Sequence, residues 1–465
     1  MIMRTIYASI FRVAGHCRHH FLSGALCFIF IIPLVLSSSA KGESFDDFPD
    51  YPFIQTNVAF WEDVYGRYTT TEGILHDTDR LDIVYGVVAL ENWEAAGAGQ
   101  INRELIKFAK ERYNGILQAL SKGTIPKTPD EKRIAAMFKK PGAPTYKQAM
   151  NNIRLQIGQK DRFLQGVIRS GAYIPFIKNI FKSHGLPTLL AYLPHVESSF
   201  NPEAHSKAGA VGLWQFTRGT GKQYLTINDI MDERYDPVRS SHAAALFLKD
   251  NFEKLPEWPL ALTAYNHGPA GMLRAVQLHG SYENIYKKHS GGRFKFASRN
   301  FYPEFIAAVR VAHKLEKDPS LIKDRPTATI SIRLRNYISL KDLSAHFQIA
   351  TEDVVRFNPS FRTSIIIGDK YIPKNIFVNI PATERTRSLA STIPSYLYHS
   401  DQLDDVVHVV RLGDTAGSVA KKYNVKLDDL IRVNKLNRQA TITVGQKLQL
   451  PSRIRLAASP KKKRF

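Results

Sequence analysis

Hydrophobic positions change their spacing several times along the chain, and each change predicts a different element. The first is an apolar run from Phe21 to Leu36, preceded by Arg4, Arg12 and Arg18 and followed by Ser37, Ser38, Ser39 and Ala40 before the polar Lys41-Gly42-Glu43. A basic head, an apolar stretch and small residues at Ser38 and Ala40 make residues 1–40 an export signal with cleavage near Ala40. The same run, close to the ~17-residue lower limit for spanning, also reads as an uncleaved segment that associates the protein with a membrane. Cys17 follows His16 and Cys27 follows Leu26, so neither has the small residue that lipid attachment requires before the cysteine.

Residues 41–150 read as an N-terminal helical region. Ile101, Leu105, Phe108 and Ala109 recur at helical spacing, and Gly123 to Pro129 and Pro141 to Pro144 punctuate the pattern. A denser helical pattern fills 151–318. There Thr188 to about Ser199 reads as one short helix, opened by Pro187 and barred by Pro202, with Pro194 inside it kinking the helix or loosening one turn. Its apolar stripe runs through Leu189, Leu190, Leu193 and Val196, and Glu197 falls on that same face. Leu260 to Pro269 is another helix, ending at Gly268 after the polar Tyr265, Asn266 and His267.

After Pro319 the spacing turns to short β-rich runs such as 328–334, and a repeat appears. Val419, Ala420, Tyr423, Val425 and Asn434 have counterparts 76 positions earlier in Leu343, Ser344, Phe347, Ile349 and Asn358. Each copy closes on Gly-x-Lys and a short strand ending in proline, Gly445 to Pro451 and Gly368 to Pro373. Each unit therefore reads strand, helix, helix, strand (βααβ). In the second copy His408 to Arg411 is the strand, Asp414-Thr415 caps a helix to Tyr423, Val425 to Asn434 is the second helix and Ile442 to Leu450 the returning strand. The units span 328–381 and 406–451, with a polar linker at 382–405 and a basic tail at 452–465.

Charge and cysteine usage narrow the partners. The 465 residues include 64 Lys or Arg and 42 Asp or Glu, a net charge of +22, with the 44% apolar fraction of a folded protein. Such an excess suits nucleic acid. Cleavage at Ala40, however, removes three arginines and no acid, leaving +19, and an exported chain meets cell-wall carboxylates and anionic head groups instead. No nucleic-acid module is recognisable and the lysines are spread along the chain, so nucleic acid is not an expected partner. Both cysteines lie in the first thirty residues, which excludes a disulfide framework, a thiol nucleophile and a Cys-ligated metal from the rest. His195-x-Glu197 has the spacing of a zinc-deaminase motif without its downstream cysteines. Neither a metal nor another cofactor is expected.

Glu197 is the candidate for chemistry. A carboxyl on an apolar face holds its proton to higher pH, which is what protonating a glycosidic oxygen requires; on an isolated motif, a salt bridge is the plainer reading. Downstream, Ser206 to Phe216 carries Gly209 and Gly212, whose spacing allows close approach of a backbone or a sugar ring. Lacking a Gly-Lys-Ser ending, it is not a phosphate loop. Ser206 and Gln215 are polar groups in an apolar setting and need hydrogen bonds, while Trp214 reads as core.

Glu197-Ser198, then Gly209 to Gln215, then Ala264-Tyr265-Asn266 together resemble the lytic transglycosylases with a goose-type lysozyme-like catalytic domain, in the subgroup that joins this domain to C-terminal LysM repeats. The resemblance covers about residues 150–318 and 330–451 and extends to Asp232-Glu233-Arg234-Tyr235-Asp236-Pro237. The second repeat resembles a LysM domain through Gly413-Asp414-Thr415, Asn434 and Gly445-Gln446-x-Leu448, with Ala416 where leucine is usual. The first resembles a degenerate LysM, with Tyr337-Ile338-Ser339 in place of the Gly-Asp-Thr loop.

The resemblance implies a mainly α fold, a lysozyme-like catalytic domain with α+β LysM modules behind it. It makes Glu197 the catalytic acid and base, places Ser206, Gln215, Tyr265 and Asn266 along the sugar subsites, and assigns Gly413, Asp414 and Thr415 to a glycan groove. The implied partner is the glycan strand of peptidoglycan, in the periplasm or cell envelope of a bacterium. Where relatives carry Glu-Thr-x-x-Tyr, whose tyrosine reaches the cleft, this chain has Ala297-Ser298-Arg299-Asn300-Phe301, with Tyr302 next to it as a candidate substitute.

Two-carboxylate hydrolysis needs a second acid roughly 5 to 9.5 Å from the first. Glu203, Asp229, Asp232, Glu233 and Asp236 all fall in loops or polar clusters, so a single-acid mechanism is preferred, and the resemblance implies one: a transglycosylase that cleaves the bond between N-acetylmuramic acid and N-acetylglucosamine and leaves 1,6-anhydro ends. A muramidase that hydrolyses the same bond and a non-catalytic wall-binding protein are the alternatives. The positive charge predicts long-range attraction to anionic peptidoglycan. Binding of the chain to purified sacculi, measured by co-sedimentation, should weaken as salt rises.

Overall fold

The computed structural model describes residues 45–139, 142–404 and 407–450. The export or anchor segment, both cysteines and the basic tail lie outside the described residues. Among the described residues no helix is long and apolar enough to cross a membrane.

The chain enters through a 3-10 turn, Pro52–Ile54, into α1 (Gln55–Gly66), which buries Val58, Phe60, Trp61, Val64 and Tyr65. Then follow β1 (Glu72–Asp77), β2 (Val84–Ala89), α2 (Ala98–Ser121), α3 (Pro129–Ala136), α4 (Ala143–Asn152) and β3 (Ile153–Ile157). The strands form an antiparallel sheet in the order β2-β1-β3. The helical reading of residues 41–150 is thus corrected. β1 is buried on both faces after its first residue, so it lacks the alternation that marks a half-exposed strand. The helix expected around Ile101 to Leu120 is α2, yet its stripe is not core: Ile101 is 48% and Phe108 71% exposed. α2 buries Asn102, Tyr113, Leu117 and Leu120 instead. Tyr113 lies so close over β2 that a Cβ on Gly86 would sit 1.9 Å from its hydroxyl.

Residues 160–316 are helical: α5 (Lys160–Ser170), α6 (Ile174–Ser183), α7 (Pro194–Glu197), α8 (Arg218–Gly221), α9 (Pro237–Lys254), α10 (Trp258–His267), α11 (Pro269–His279), α12 (Tyr282–Lys288) and α13 (Phe296–Glu316). One apolar core joins Phe48 and α1 to Leu189, Leu190, Leu193, Trp214 and the inner faces of α9, α10 and α13. α1 therefore belongs to the body that carries Glu197.

The C-terminal part comprises β4 (Thr329–Arg333), β5 (Tyr337–Ile338), α14 (Leu340–Phe347), α15 (Thr351–Phe357), α16 (Thr363–Ile366), β6 (Phe377–Pro381), α17 (Glu384–Leu389), β7 (Tyr398–His399), β8 (Val407–Val409), α18 (Ala416–Lys422), α19 (Leu427–Asn434) and β9 (Lys447–Gln449). β4 pairs with β6, β5 with β7 and β8 with β9, all antiparallel. The return strand of the first repeat is β6, not a strand ending at Pro373; Ile372 makes only an isolated bridge to Ile338 before the proline, which has no N–H to continue a ladder. The segment 382–405 is also more than a linker. It contains α17 and β7, and Leu389, Ile393, Leu397 and Tyr398 pack on the first repeat's core. Their apolar residues are too widely spaced to show a period.

The first repeat is docked on the helical body. The backbone N–H of Asp232 donates to the Ser360 carbonyl at 2.8 Å, that of Arg362 to the Ile230 carbonyl at 3.0 Å, and Met231 enters the repeat's core.

Both repeats share one polar staple. Asn358 donates from its amide to the Val354 and Asn379 carbonyls, both at 2.7 Å, and accepts from the Asn379 N–H at 2.8 Å, fastening α15 to β6. Asn434 does the same between α19 and β9, donating to Leu430 and Gln449 and accepting from the Gln449 N–H. This explains the repeated asparagine: its amide supplies two N–H donors and an acceptor oxygen together, where a hydroxyl has a single donor. Asn358→Ala leaves these backbone groups unpaired and should cost about 2 kcal/mol, read as a lower midpoint for the first repeat in denaturant.

Candidate active site

Pro194 opens a new helical turn instead of kinking a continuous one. A 3-10 segment, Thr188–Tyr192, precedes α7, and α7 ends at Glu197. The expected single helix from Thr188 to Ser199 is corrected accordingly, because proline suits a first helical turn and cannot donate within one. Ser199 and Phe200 follow with φ of 50° and 55°. Left-handed backbone at two successive non-glycine residues costs of order 1–3 kcal/mol each and needs support. Arg169 supplies it by donating to the Ser199 carbonyl at 2.7 Å, and the Phe200 N–H bonds the Pro194 carbonyl at 3.1 Å. Gly166 of α5 has no side chain where a Cβ would stand 3.0 Å from the Ser199 oxygen. His195 is buried among Phe163, Tyr192 and Phe200, and burial lowers its pKa to about 3. It is a neutral packing group.

The three motif segments converge. Ser198 donates its hydroxyl to the Leu213 carbonyl at 2.8 Å, and Tyr265 donates to the Trp214 carbonyl at 2.8 Å. Gly209, Gly212 and Gln215 take φ of 77°, 80° and 48°. Arg234, paired with Asp232 at 2.8 Å, donates to the Gly209 and Phe216 carbonyls at 3.1 Å and so pins the loop from beneath. Trp214 is core, stacked on Phe181 and donating to Ser241. Gln215 spends its amide on the Gly212 and Ala204 carbonyls, and the exposed Ser206 accepts from the Ala210 N–H. Asn266, exposed at the end of α10, accepts from Ser298.

A cavity of about 700 Å³ opens beside Glu197. Its walls include Trp61 and Tyr65 from α1, Gln159, Arg162 and Arg169 at α5, and Glu304 from α13. Ser206, Gln215, Tyr265 and Asn266 do not line it. Tyr265 comes near Glu197 from another side, where burial and then the Glu197 charge raise its pKa well above the phenol range. The Glu197 carboxyl is pushed up to about 8, first by burial and then by the charge of Glu304. Burial lifts Glu304 to about 7, against the hydrogen bond that Tyr65 donates to it at 2.7 Å.

Glu304, Tyr65 and Arg169 escaped the sequence reading. For Glu304 the signal was available: like Glu197, it is a lone carboxylate in an apolar helical run, Phe301 to Val309. The five acids weighed instead are elsewhere engaged or exposed. Asp232 is salt-bridged, Asp236 caps α9, Glu233 accepts from the Thr226 N–H, and Glu203 and Asp229 are exposed. Tyr302 does not take the place of a cleft tyrosine. It is buried and donates to the Pro49 carbonyl, because α13 turns it toward the N-terminal segment, while Phe301 lies over Tyr265. The tyrosine that lines the cavity is Tyr65.

In the second repeat, Gly413 makes the turn with φ of 91° and Thr415 caps α18. Asp414 accepts from the Arg411 N–H and from His408, which hold its carboxyl below the usual range. The side chains of Asp414 and Thr415 thus brace the loop.

This arrangement belongs to a known class. Residues 174–287 match the transglycosylase SLT domain and residues 408–451 the LysM domain, so the chain carries a lysozyme-like SLT domain, homologous to lytic murein transglycosylases, with a LysM module behind it. It is 25% identical over 315 residues to the membrane-bound lytic murein transglycosylase D of Escherichia coli (strain K12), covering 63% of this chain and 68% of that protein. It is 35% identical over 116 residues to the membrane-bound lytic murein transglycosylase F of Yersinia pestis (strain Pestoides F), 23% of each chain. An inactive mutant of the lytic transglycosylase Slt from Pseudomonas aeruginosa aligns at a TM-score of 0.28 and 17% identity, over 49% of this chain and 35% of that one.

Gly212 sits where an added Cβ would meet the Arg234 carbonyl oxygen at 2.2 Å, on a backbone that L-residues avoid. Gly212→Ala should therefore cost roughly 2 kcal/mol or more and lower the melting temperature of the helical body in calorimetry.

Proposed function

We propose that the chain is a peptidoglycan lytic transglycosylase that cleaves the β-1,4 bond between N-acetylmuramic acid and N-acetylglucosamine and leaves 1,6-anhydro-muramyl ends. The observation that carries the reading is Glu197: a carboxyl at the wall of a large cavity that keeps its proton at neutral pH. The proton goes to the glycosidic oxygen, the bond to C1 breaks, and the N-acetylglucosamine hydroxyl leaves. The Glu197 carboxylate then takes the proton of the muramyl C6 hydroxyl, whose oxygen closes on C1. No water is consumed, and Glu197 ends protonated for the next turnover.

Around this step we assign sugar contacts to the exposed Ser206 and Asn266. Gln215 and Tyr265 act indirectly, by holding the loop that the Ser198 hydroxyl fastens to the cavity. The LysM module tethers the enzyme to glycan through the surface around Gly413, Asp414 and Thr415, and the workplace is the bacterial cell envelope. Hydrolysis is the second reading, favoured by one observation: Glu304 puts a second carboxylate in the same cavity.

Digestion of purified peptidoglycan followed by mass spectrometry of the muramyl ends decides between them. Anhydro ends support the transglycosylase, and reducing ends overturn it in favour of a muramidase. Glu197→Gln should lower turnover roughly 10²- to 10⁴-fold. Because the acid must be protonated, activity should fall as pH rises through about 8, with a limb set by Glu197.

A further inference from the structure

Glu304 is a charged group in an expensive place. It stands one helical turn after Asn300 on α13, directly after Pro303, in a stretch where Phe301, Tyr302, Phe305, Ile306, Ala307, Ala308 and Val309 are buried. A structural carboxylate so placed would be expected to meet an arginine or lysine. Instead the hydroxyl of Tyr65 donates to it at 2.7 Å, and the cavity it lines also holds Glu197. Tyr65 is contributed by α1, from the region preceding the SLT match.

We propose that Glu304 is a positioning residue of this cleft: its carboxylate, fixed by the Tyr65 hydroxyl, shares the cavity with Glu197 and keeps the transferable proton on Glu197. The proposal rests on Glu197 being the acid. Two carboxyls drawn out of water into one cavity resist ionising together, so the pair loses its protons in two separated steps. Tyr65 decides which ionises first, because its O–H stabilises the charged form of Glu304 and its hydrogen bond is not shared with Glu197. Glu197 then remains the acid across neutral pH.

The surrounding groups leave this order in place. From α5, Arg169 is committed to the Ser199 carbonyl, and Arg162 is exposed to solvent at the cavity's edge. From α7, His195 is neutral, and from α10, Tyr265 is a neutral phenol at these pH values. Glu94, which also lines the cavity, is exposed to solvent.

Glu304→Gln tests the idea, since glutamine fills the same space and its amide oxygen still accepts from Tyr65, so that only the charge is lost. The alkaline limb of kcat/KM on peptidoglycan should move to lower pH. At pH 8.5 the rate should fall roughly fivefold relative to the parent, with the rate at pH 6 largely kept. Glu304→Asp, which restores the charge, should bring the limb back. An unmoved limb in Glu304→Gln overturns the proposal. An independent reading needs no activity: the parent protein labelled with δ-¹³C glutamate should show two carboxyls titrating above pH 6. Glu304→Gln should show one, with a midpoint below that of Glu197 in the parent. A single such carboxyl in the parent sinks the proposal. This titration reports the pair whichever ends the digest contains, so a reducing-end product retires the transglycosylase reading without touching the pair.

Discussion

The structure depends on keeping one carboxyl both dry and reachable. Glu197 stands at the last residue of a four-residue helix, where the apolar core meets a cavity, and the acid role proposed for it requires that neither side win. Full burial would close it to substrate, and full solvation would ionise it at neutral pH. The compromise is built from backbone as much as from side chains. Two left-handed residues stop the helix at once, Arg169 holds the resulting carbonyl, and Gly166 lets the neighbouring helix come close enough to support the turn. These devices are local and polar, and each compensates a strain or an orphaned group that the placement of Glu197 creates.

The same logic runs outward. The Gly209 to Phe216 loop can be tight because Arg234 gathers its two end carbonyls, and Arg234 can be buried because Asp232 neutralises it. Asp232 in turn bonds through its backbone to the first repeat, whose core takes in Met231. A set of polar bonds thus leads from Ser198 at the cavity wall, through the loop and Arg234, to the first repeat. The N-terminal segment is tied in from the other side, with α1 packed along α13 and Tyr65 placed against Glu304. The region before the SLT match is therefore a wall of the site, and the charge state of the cavity is set jointly by elements far apart in the chain.

Much of this was legible in the residues. The order Glu197-Ser198, Gly209 to Gln215, Ala264-Tyr265-Asn266 pointed to the class, and the 76-residue repeat pointed to paired βααβ modules. The second module's cap at Thr415 and its two helices follow directly from capping chemistry and helical spacing. The repeated asparagine was visible as a pattern, and its purpose as a staple was not. The sheet around β1 was missed because a strand buried on both faces carries no alternation. The segment 382–405 was missed because its few apolar residues pack on a distant core. The stripe on α2 misled for a related reason: spacing reports that a helix has an apolar face, and only its neighbours decide whether that face is covered.

The sequence by itself determined the class of domain and the kind of module attached behind it, and it singled out Glu197 as the candidate acid. Those are matters of local order, where residue type and spacing carry the physics. Tertiary structure alone decided that Glu304 shares the cavity, that Tyr65 and not Tyr302 lines it, and that the predicted subsite residues Gln215 and Tyr265 spend their polar atoms on the loop. Proton affinity in a cleft depends on burial and on charges brought together across more than a hundred residues, from α1 through α7 to α13. No spacing rule along the chain encodes such a meeting, because it exists only once the helices have packed.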